Sequence, residues 1–429
     1  MPARTLPLPT QSSKPRSERL HCLDWLRAFT ALVVVALHAG IPYMTHRMPG
    51  LVWSTWDSRP DSVIDAFCWA ADGFVMPVFF VIGGLLAAQL MRRKGTDRFL
   101  QHRASRLLGP LLFGIVFILP LDLYAWLIGW AGDGRIPLKK LASLKLDPEV
   151  SDGLWGVSHL WFLQYLFVFC AAAWGMIRLT ERLHAADRGP RRAFAVRTIL
   201  LARQSHHIPA GLLLVVGIGV STLALAWEPQ VVIGFRHSWW PLPANLLYFV
   251  PCFAFGWWLA VRHEAGKPIS SGWGVAGVGA MLAFSMALPL IRSHVVEPTS
   301  GSERWLLAAT FASFAWLSTV ALFGGCVELL RQPPPAPVRY FAEASFWVYL
   351  IHHPIVGLTH VSVSRVVWPT PVRFAVVLLV ALSFSLLTYV AFVRSTWVGQ
   401  LLNGRRYGVE PRPVQMPTPA VETPARRAA

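Results

Sequence analysis

The chain has 429 residues, of which 54% are hydrophobic and only 14% are charged, and it contains 20 Trp. With a mean hydropathy of +0.47, this composition excludes an ordinary soluble globular protein and indicates a polytopic membrane protein. The formal net charge of +17 does not predict a nucleic-acid partner, because no recognition fold accompanies it.

Apolar runs long enough to cross a bilayer recur along the whole chain. About 20 helical residues are needed to span ~30 Å of hydrocarbon, and ten such runs predict an all-α polytopic membrane protein. The predicted spans are 24–46, 66–91, 107–130, 159–178, 208–228, 241–261, 272–292, 305–330, 341–363 and 374–396. Ten spans place both termini on one side, and the segments on that side carry most of the Lys and Arg. The positive-inside rule therefore predicts that both termini are cytoplasmic.

The two ends of the chain are rich in proline and poor in packing residues. Residues 1–20 and 401–429 are predicted to be disordered cytoplasmic tails, which flank one transmembrane domain over 21–400. No cleavable signal precedes the first span, so that span is expected to act as a signal-anchor. The basic segments 92–106 and 187–192 are expected to lie beside anionic headgroups, which makes the lipid bilayer the first partner.

The first span, "LDWLRAFTALVVVALHAG", contains two ionisable residues, Arg27 and His38. Eleven residues are three helical turns to within about 20°, so both lie on one line of the helix, separated by ~16 Å. One interpretation is structural: Arg27 snorkels and pairs with Asp24, while His38 bonds a neighbouring helix. Intramembrane ionisable groups commonly mark function, and their alignment favours a lined cavity.

A second polar pattern lies in "EASFWVYLIHHPI", residues 343–355. Ser345, Tyr349 and His352 are spaced i, i+4 and i+7, which predicts one polar stripe on an apolar helix. His353 is turned about 100° away from His352, so the two are not expected to share a face. Pro354 removes a helical hydrogen bond and predicts a kink at the histidines. The alternative is an interfacial belt of Tyr and His at a helix bend.

A third pattern, "SHLWFLQYLF", enters the fourth predicted span. His159 is expected at the outer boundary with Trp161 as an interfacial anchor, and a belt without chemistry explains the pair equally well. Asp72 and Asp122 are isolated carboxylates that either orient a histidine or serve a structural contact. The five cysteines are scattered and predict neither a disulfide framework nor a zinc site, so no metal site is expected. No phosphate-binding loop indicates ATP hydrolysis.

These stretches resemble the membrane-bound acyltransferase family 3. The matching segments include "LDWLRAFTALVVVALH" with its Arg-X10-His spacing, "SHLWFLQYLF" and "ASFWVYLIHHPIV", and they occur in family order from residue 23 to about 360. Within the family, the resemblance is greatest to the group that adds succinyl groups to periplasmic glucans. There is one departure: Gly83-Gly84 stands where members usually have Ser-Gly.

The resemblance implies an acyltransferase of the bacterial inner membrane that moves a succinyl or acetyl group. The donor would be cytoplasmic acyl-CoA, bound as a substrate and not as a tightly held cofactor. The acceptor would be a hydroxyl of a periplasmic glucan or another extracytoplasmic glycan. A multi-span transporter or flippase with the Arg27–His38 line as its permeation path is the alternative, but it predicts paired broken helices that the sequence lacks.

The resemblance also implies roles for the polar residues. Arg27 would meet the CoA phosphates, since guanidinium pairs well with phosphate, and His38 would be the general base on the acceptor hydroxyl. A covalent acyl-histidine is a variant that stays open. The further candidates are Arg92, Arg93, Arg103 and Arg106 for CoA, His352 and Tyr349 for catalysis, and His159, Trp161, Asp72 and Asp122 for substrate binding. Arg236, beside His237, is the candidate cation for a succinyl carboxylate.

Overall fold

The protein folds into a helical bundle in the computed structural model, which describes residues 21–143, 145–146, 154–188, 209–264 and 272–403. Helices and loops account for all of the described residues, and none of them is in a β-strand. The α-helices are α1 His21–Gly40, α2 Ser62–Phe113, α3 Leu119–Gly132, α4 Lys140–Ser143, α5 Trp161–Arg188, α6 Ala210–Trp227, α7 Pro243–Glu264, α8 Trp273–Val296, α9 Gly301–Leu329, α10 Ala336–Val363, α11 Thr370–Thr388 and α12 Trp397–Asn403. Short 3₁₀ and π segments cover Ile41–Tyr43, Gly114–Ile118, Ser158–Leu160, Pro229–Val231 and Tyr389–Val393.

Eight segments of the described chain are long and apolar enough to cross a membrane, which confirms an all-α multi-pass membrane protein. The number differs from the ten predicted spans for two reasons. The second and third predicted spans are separated by the kink at Gly95, but they lie in the stretch Ser62–Gly132, which counts once. The ninth, 341–363, lies on α10, whose serine and histidines lower its hydropathy, and it is not among the eight.

Some predicted features fall outside the described residues. They are the tail 1–20, all but the first three residues of the tail 401–429, and most of the basic segment 187–192.

A break at Gly95 marks one end of the bundle. Its φ of 75° and ψ of 170° are open only to glycine at low cost, and they divide α2 within the basic segment 92–106. The far part of α5 is fastened here, because Thr96 Oγ1 donates to Glu181 Oε1 at 2.8 Å and Arg178 pairs with Asp97. We call this the basic end.

The start of α5 lies at the opposite end, against the segment 229–242. Gln164 Nε2 donates to the backbone oxygen of Trp239 at 2.9 Å. The same segment returns to the loop after α1, where Phe235 N donates to Pro49 O at 2.8 Å. We call this the loop end.

Burial separates central from peripheral helices. α1 is buried along most of its length, whereas most of α6 and α8 faces outward, as expected for lipid contact. The backbones of α2 and α7 touch at two glycines, because a Cβ at Gly84 would clash with the carbonyl of Phe253 and a Cβ at Gly256 with that of Val81. Small residues allow such close packing in membranes, where apolar side chains alone provide little driving force.

Candidate active site

His38 lies in the second half of α1, and the protein engages one of its two ring nitrogens. Nδ1 lies 2.8 Å from the backbone oxygen of Val34 and 3.3 Å from Nε2 of His352. A carbonyl oxygen only accepts hydrogen bonds, so the network assigns the ring proton to Nδ1. The neutral ring then keeps its lone pair on Nε2, which is the atom that a general base uses.

His352 supports His38 from the neighbouring helix α10. Its own Nδ1 lies 3.0 Å from the backbone oxygen of Val348 and 2.8 Å from that of Tyr349, so Nδ1 donates and Nε2 accepts from His38. The side chain is 0% exposed and is not among the residues that line the cavity described below. His352 therefore lies behind His38, away from the lining of the cavity.

His353 contacts the other side of His38, a contact that sequence reasoning missed. The ring centroids of His38 lie 4.9 Å from His352 and 5.0 Å from His353. His352 and His353 point about 100° apart, as successive residues of a helix do. The ring of His38 lies between these two directions and contacts both rings. His353 also stacks on His159, with centroids 4.4 Å apart, and on Trp126, with centroids 5.0 Å apart.

Pro354 acts on the site without breaking α10. The helix is continuous from Ala336 to Val363, so the predicted kink does not appear as a break at the histidines. Proline has no N–H for the carbonyl four residues earlier, which here belongs to Leu350. That freed carbonyl accepts a hydrogen bond from Nε2 of His159, 3.1 Å away.

A hydrogen bond and an unusual backbone conformation constrain the main chain around His159. Tyr349 Oη donates to the backbone oxygen of His159 at 2.7 Å. Ser158 has a φ of 46°, in the left-handed region that non-glycine residues rarely adopt and that is often found at functional sites. The hydroxyl of Tyr349 thus fixes His159, and it is not free for a substrate in this arrangement.

Asp122 of α3 lies between two of the histidines. Its Oδ1 is 3.0 Å from Nδ1 of His353 and its Oδ2 is 3.4 Å from Nδ1 of His159. Nδ1 of each of these two imidazole rings thus faces one buried carboxylate. Asp72, the other candidate carboxylate, lines the cavity, but within the described residues it has no recorded contact with a histidine, and its Oδ2 is buried without a hydrogen-bond partner.

Trp53 and His360 complete the wall behind the histidines. The indole Nε1 of Trp53 donates to Nδ1 of His360 at 3.1 Å, and Nε2 of His360 donates to the backbone oxygen of Ala39 at 3.1 Å. Both nitrogens of His360 are therefore satisfied, which assigns it a structural role. The sequence does not predict Trp53 as a site residue, because it lies in a loop and only the packing of the helices brings its ring beside the histidines.

One cavity of about 750 Å³ joins the basic end, the histidines and the loop end. At the basic end it is lined by Arg27, Lys94, His102, Arg103 and Arg106. Arg27 also donates from Nη2 to Ser345 Oγ at 3.3 Å, which joins the two sequence patterns directly. The predicted Arg92 and Arg93 are not among the lining residues.

His38, His159 and His353 line the middle of the cavity. The loop end presents aromatic and amide side chains, including Trp161, Trp240, Gln164 and Asn245. His237 lies there with both ring nitrogens buried, and neither has a hydrogen-bond partner in the part of the chain that the structure describes. Burial, with a smaller contribution from the charge of His353, lowers the pKa of His237 to about 4, so its ring is neutral near pH 7.

A comparison with family models decides the class of protein. The model for the acyltransferase domain of acyltransferase family 3 matches residues 20–390. The chain belongs to this family. The protein is therefore an acyltransferase, an enzyme, and not the transporter or flippase that was the alternative.

Two relatives are similar in sequence to this acyltransferase over most of its length. The chain is 24% identical over 350 residues to "Glucans biosynthesis protein C" of Shigella dysenteriae serotype 1 (strain Sd197), with 79% of this chain and 82% of the relative covered. The protein of that name from Escherichia coli O139:H28 (strain E24377A / ETEC) gives the same identity and coverage. No solved structure matches.

Proposed function

We propose that the protein transfers a short acyl group from cytoplasmic acyl-CoA to a hydroxyl of an extracytoplasmic glycan. The observation that carries this proposal is the single cavity, because it joins a cluster of cations, a histidine with a free ring lone pair and an aromatic, amide-lined end. Two substrates entering from opposite ends would meet at His38, in the middle of the bilayer.

The basic end suits the CoA moiety. Arg27, Arg103 and Arg106 bring three guanidinium groups to one mouth of the cavity, and guanidinium groups bind phosphates through charge-assisted hydrogen bonds. Lys94 adds a fourth cation. With this end in the cytoplasm, both termini and the basic segment 92–106 would lie on the inner side of the bacterial inner membrane, as the positive-inside rule requires.

His38 is the proposed general base. Its Nε2 would take the proton of the acceptor hydroxyl while the oxygen attacks the thioester carbonyl carbon. Collapse of the tetrahedral intermediate breaks the carbon–sulfur bond, and Nε2 returns the proton to the departing CoA sulfur. His352 holds Nδ1–H in place during both transfers.

The loop end suits a sugar. Trp161 and Trp240 offer apolar ring faces, and Gln164, Asn245 and neutral His237 offer hydrogen-bonding groups, the mixture of one apolar and several polar contacts that specific small-molecule sites use. The names of the relatives make a glucan the first acceptor to test. Arg236 lines the same end and could pair with a succinyl carboxylate, which makes succinyl-CoA the first donor and acetyl-CoA the second.

The test uses the purified protein in nanodiscs with labelled succinyl-CoA or acetyl-CoA and a β-glucan oligosaccharide. Free CoA and label on the glycan are both measured for wild type, His38→Ala and His21→Ala. Loss of a general base lowers the rate about 10²- to 10⁴-fold, so His38→Ala should lose both products. His21→Ala removes a histidine of the same helix that does not line the cavity, and it should match wild type. Equal turnover by His38→Ala and wild type would refute the assignment of the base.

A further inference from the structure

Three side chains converge beside His38 from α3, from α10 and from the 3₁₀ segment before α5, and they form no hydrogen bonds with one another. Asp122, His159 and His353 each offer one ligand atom, and these atoms lie within 4.8 Å of one another. The nitrogen–oxygen distances of 3.0 and 3.4 Å are short enough for hydrogen bonds, yet neither contact has hydrogen-bond geometry. Both carboxylate oxygens and both Nδ1 atoms are thus buried without a hydrogen-bond partner among the described residues.

The hydrogen bond made by the other ring nitrogen of His159 makes its contact with Asp122 unfavourable. Nε2 donates to the backbone oxygen of Leu350, so Nδ1 of the neutral ring carries a lone pair. That lone pair faces Asp122, whose oxygens also carry only lone pairs when ionised. Opposed lone pairs in a buried site are unfavourable unless a cation lies between them.

We propose that Asp122, His159 and His353 bind a divalent transition-metal ion, preferentially zinc. Two imidazole nitrogens and one carboxylate oxygen are a donor set of catalytic zinc sites, which use three protein ligands and leave one position open. Ligands ~2.1 Å from a tetrahedral ion lie about 3.4 Å apart, close to both nitrogen–oxygen distances. The bond from His159 to the Leu350 carbonyl is the outer contact that commonly orients a metal-binding histidine.

The open position would face the cavity, because His159 and His353 both line it. The ring of His353 lies 5.0 Å from that of His38, so the ion would be close to the proposed base. Trp126 stacks on the ring of His353, and Trp53 packs edge-on against the same ring, with centroids 5.1 Å apart. These two indoles would exclude water from the side of the ion that faces away from the cavity. The catalytic part of this inference rests on the proposed function: the ion would polarise the thioester carbonyl oxygen as a Lewis acid.

Metal binding is tested without any substrate. Wild-type protein without a polyhistidine tag is purified in detergent, its metal content is measured by mass spectrometry, and chelator-stripped protein is then titrated with Co²⁺ and Zn²⁺. We expect about one equivalent bound per chain and the visible absorption of tetrahedral Co²⁺. Asp122→Asn and His353→Gln should lose both signals, and Asp122→Glu should retain part of them. Asp72→Asn, a carboxylate on the same cavity with no recorded histidine contact, should bind as wild type does.

Failure of this proposal differs from failure of the proposed function. Folded, stripped wild type that binds neither ion, or Asp122→Asn that binds both as wild type does, would overturn the metal site. Full acyl transfer by metal-free protein would overturn the catalytic role of the ion, while leaving the base assigned to His38 intact. Stoichiometric binding by a protein that shows no transfer would keep the metal site and refute the function.

Discussion

His38 and His352 should respond very differently to substitution, although their rings are in contact. The lone pair on Nε2 of His38 belongs to a side chain that lines the cavity, whereas Nε2 of His352 already accepts from His38 and its side chain is 0% exposed. His352→Leu removes the neutral hydrogen bond of 3.3 Å to His38, together with the contacts of its own Nδ1 to the backbone oxygens of Val348 and Tyr349 within α10. Such a bond contributes about 0.5–1.5 kcal/mol, so losing it from the oriented base should lower kcat roughly 2- to 13-fold.

The rescue variant separates orientation from chemistry. Gln at position 352 offers a side-chain oxygen that can accept from Nδ1–H of His38, so His352→Gln should recover part of the rate that His352→Leu loses. His38→Ala should lose about 10²- to 10⁴-fold, and none of that loss should return with Gln at position 352. These rates come from CoA release at saturating donor, with thermal unfolding of each variant measured in the same detergent.

The relative size of the rate losses in His352→Leu and His38→Ala tests which histidine is the base. If His352→Leu costs as much as His38→Ala while both proteins unfold at the temperature of wild type, His352 takes part in proton transfer. The assignment of tautomers from the backbone carbonyls would then be wrong.

Two further predictions concern the donor site and the packing of α2. Arg27→Lys keeps the charge but loses the planar fork, so KM for acyl-CoA should rise about 10-fold, equivalent to ~1.4 kcal/mol, with kcat little changed; the control Arg93→Lys, off the cavity, should not change it. Gly84→Ala pushes a methyl group into a backbone carbonyl and should destabilise by about 1–3 kcal/mol, seen as a lower unfolding temperature. Gly83→Ala meets only the end of the Leu166 side chain, which can rotate away, so equal losses for both variants would contradict the close contact of α2 with α7.

The sequence predicts the parts of the site that depend on a single helix. Helical geometry alone places Arg27 and His38 on one line of α1, and the structure brings both to one cavity. Of the stripe predicted on α10, Ser345 and Tyr349 line that cavity, whereas His352 lies behind His38 and does not. These predictions work because a helix of known pitch fixes which residues share a face.

The parts that the sequence does not predict depend on how helices pack. His353 lies off the polar stripe of α10, and it becomes a site residue only because His38 of another helix fits between it and His352. Trp53 and Trp126 come from a loop and a third helix. Gly95, whose backbone is non-helical with a positive φ, kinks the chain between the second and third predicted spans. Hydropathy separates these two spans but does not report how the chain turns between them.

Pro354 leaves one helical carbonyl without its donor, as the sequence predicts, but in the structure this carbonyl is used by another segment of the chain. The sequence predicts correctly that the carbonyl four residues before it loses its helical partner, but a bend is only one way to satisfy that carbonyl. Here the ring of His159 supplies the missing donor, and the proline thereby fixes which nitrogen of His159 carries the proton. The same bond turns Nδ1 towards Asp122. One missing N–H in α10 thus determines the electrostatics of a side chain on another helix, which no reading of either segment alone can reveal.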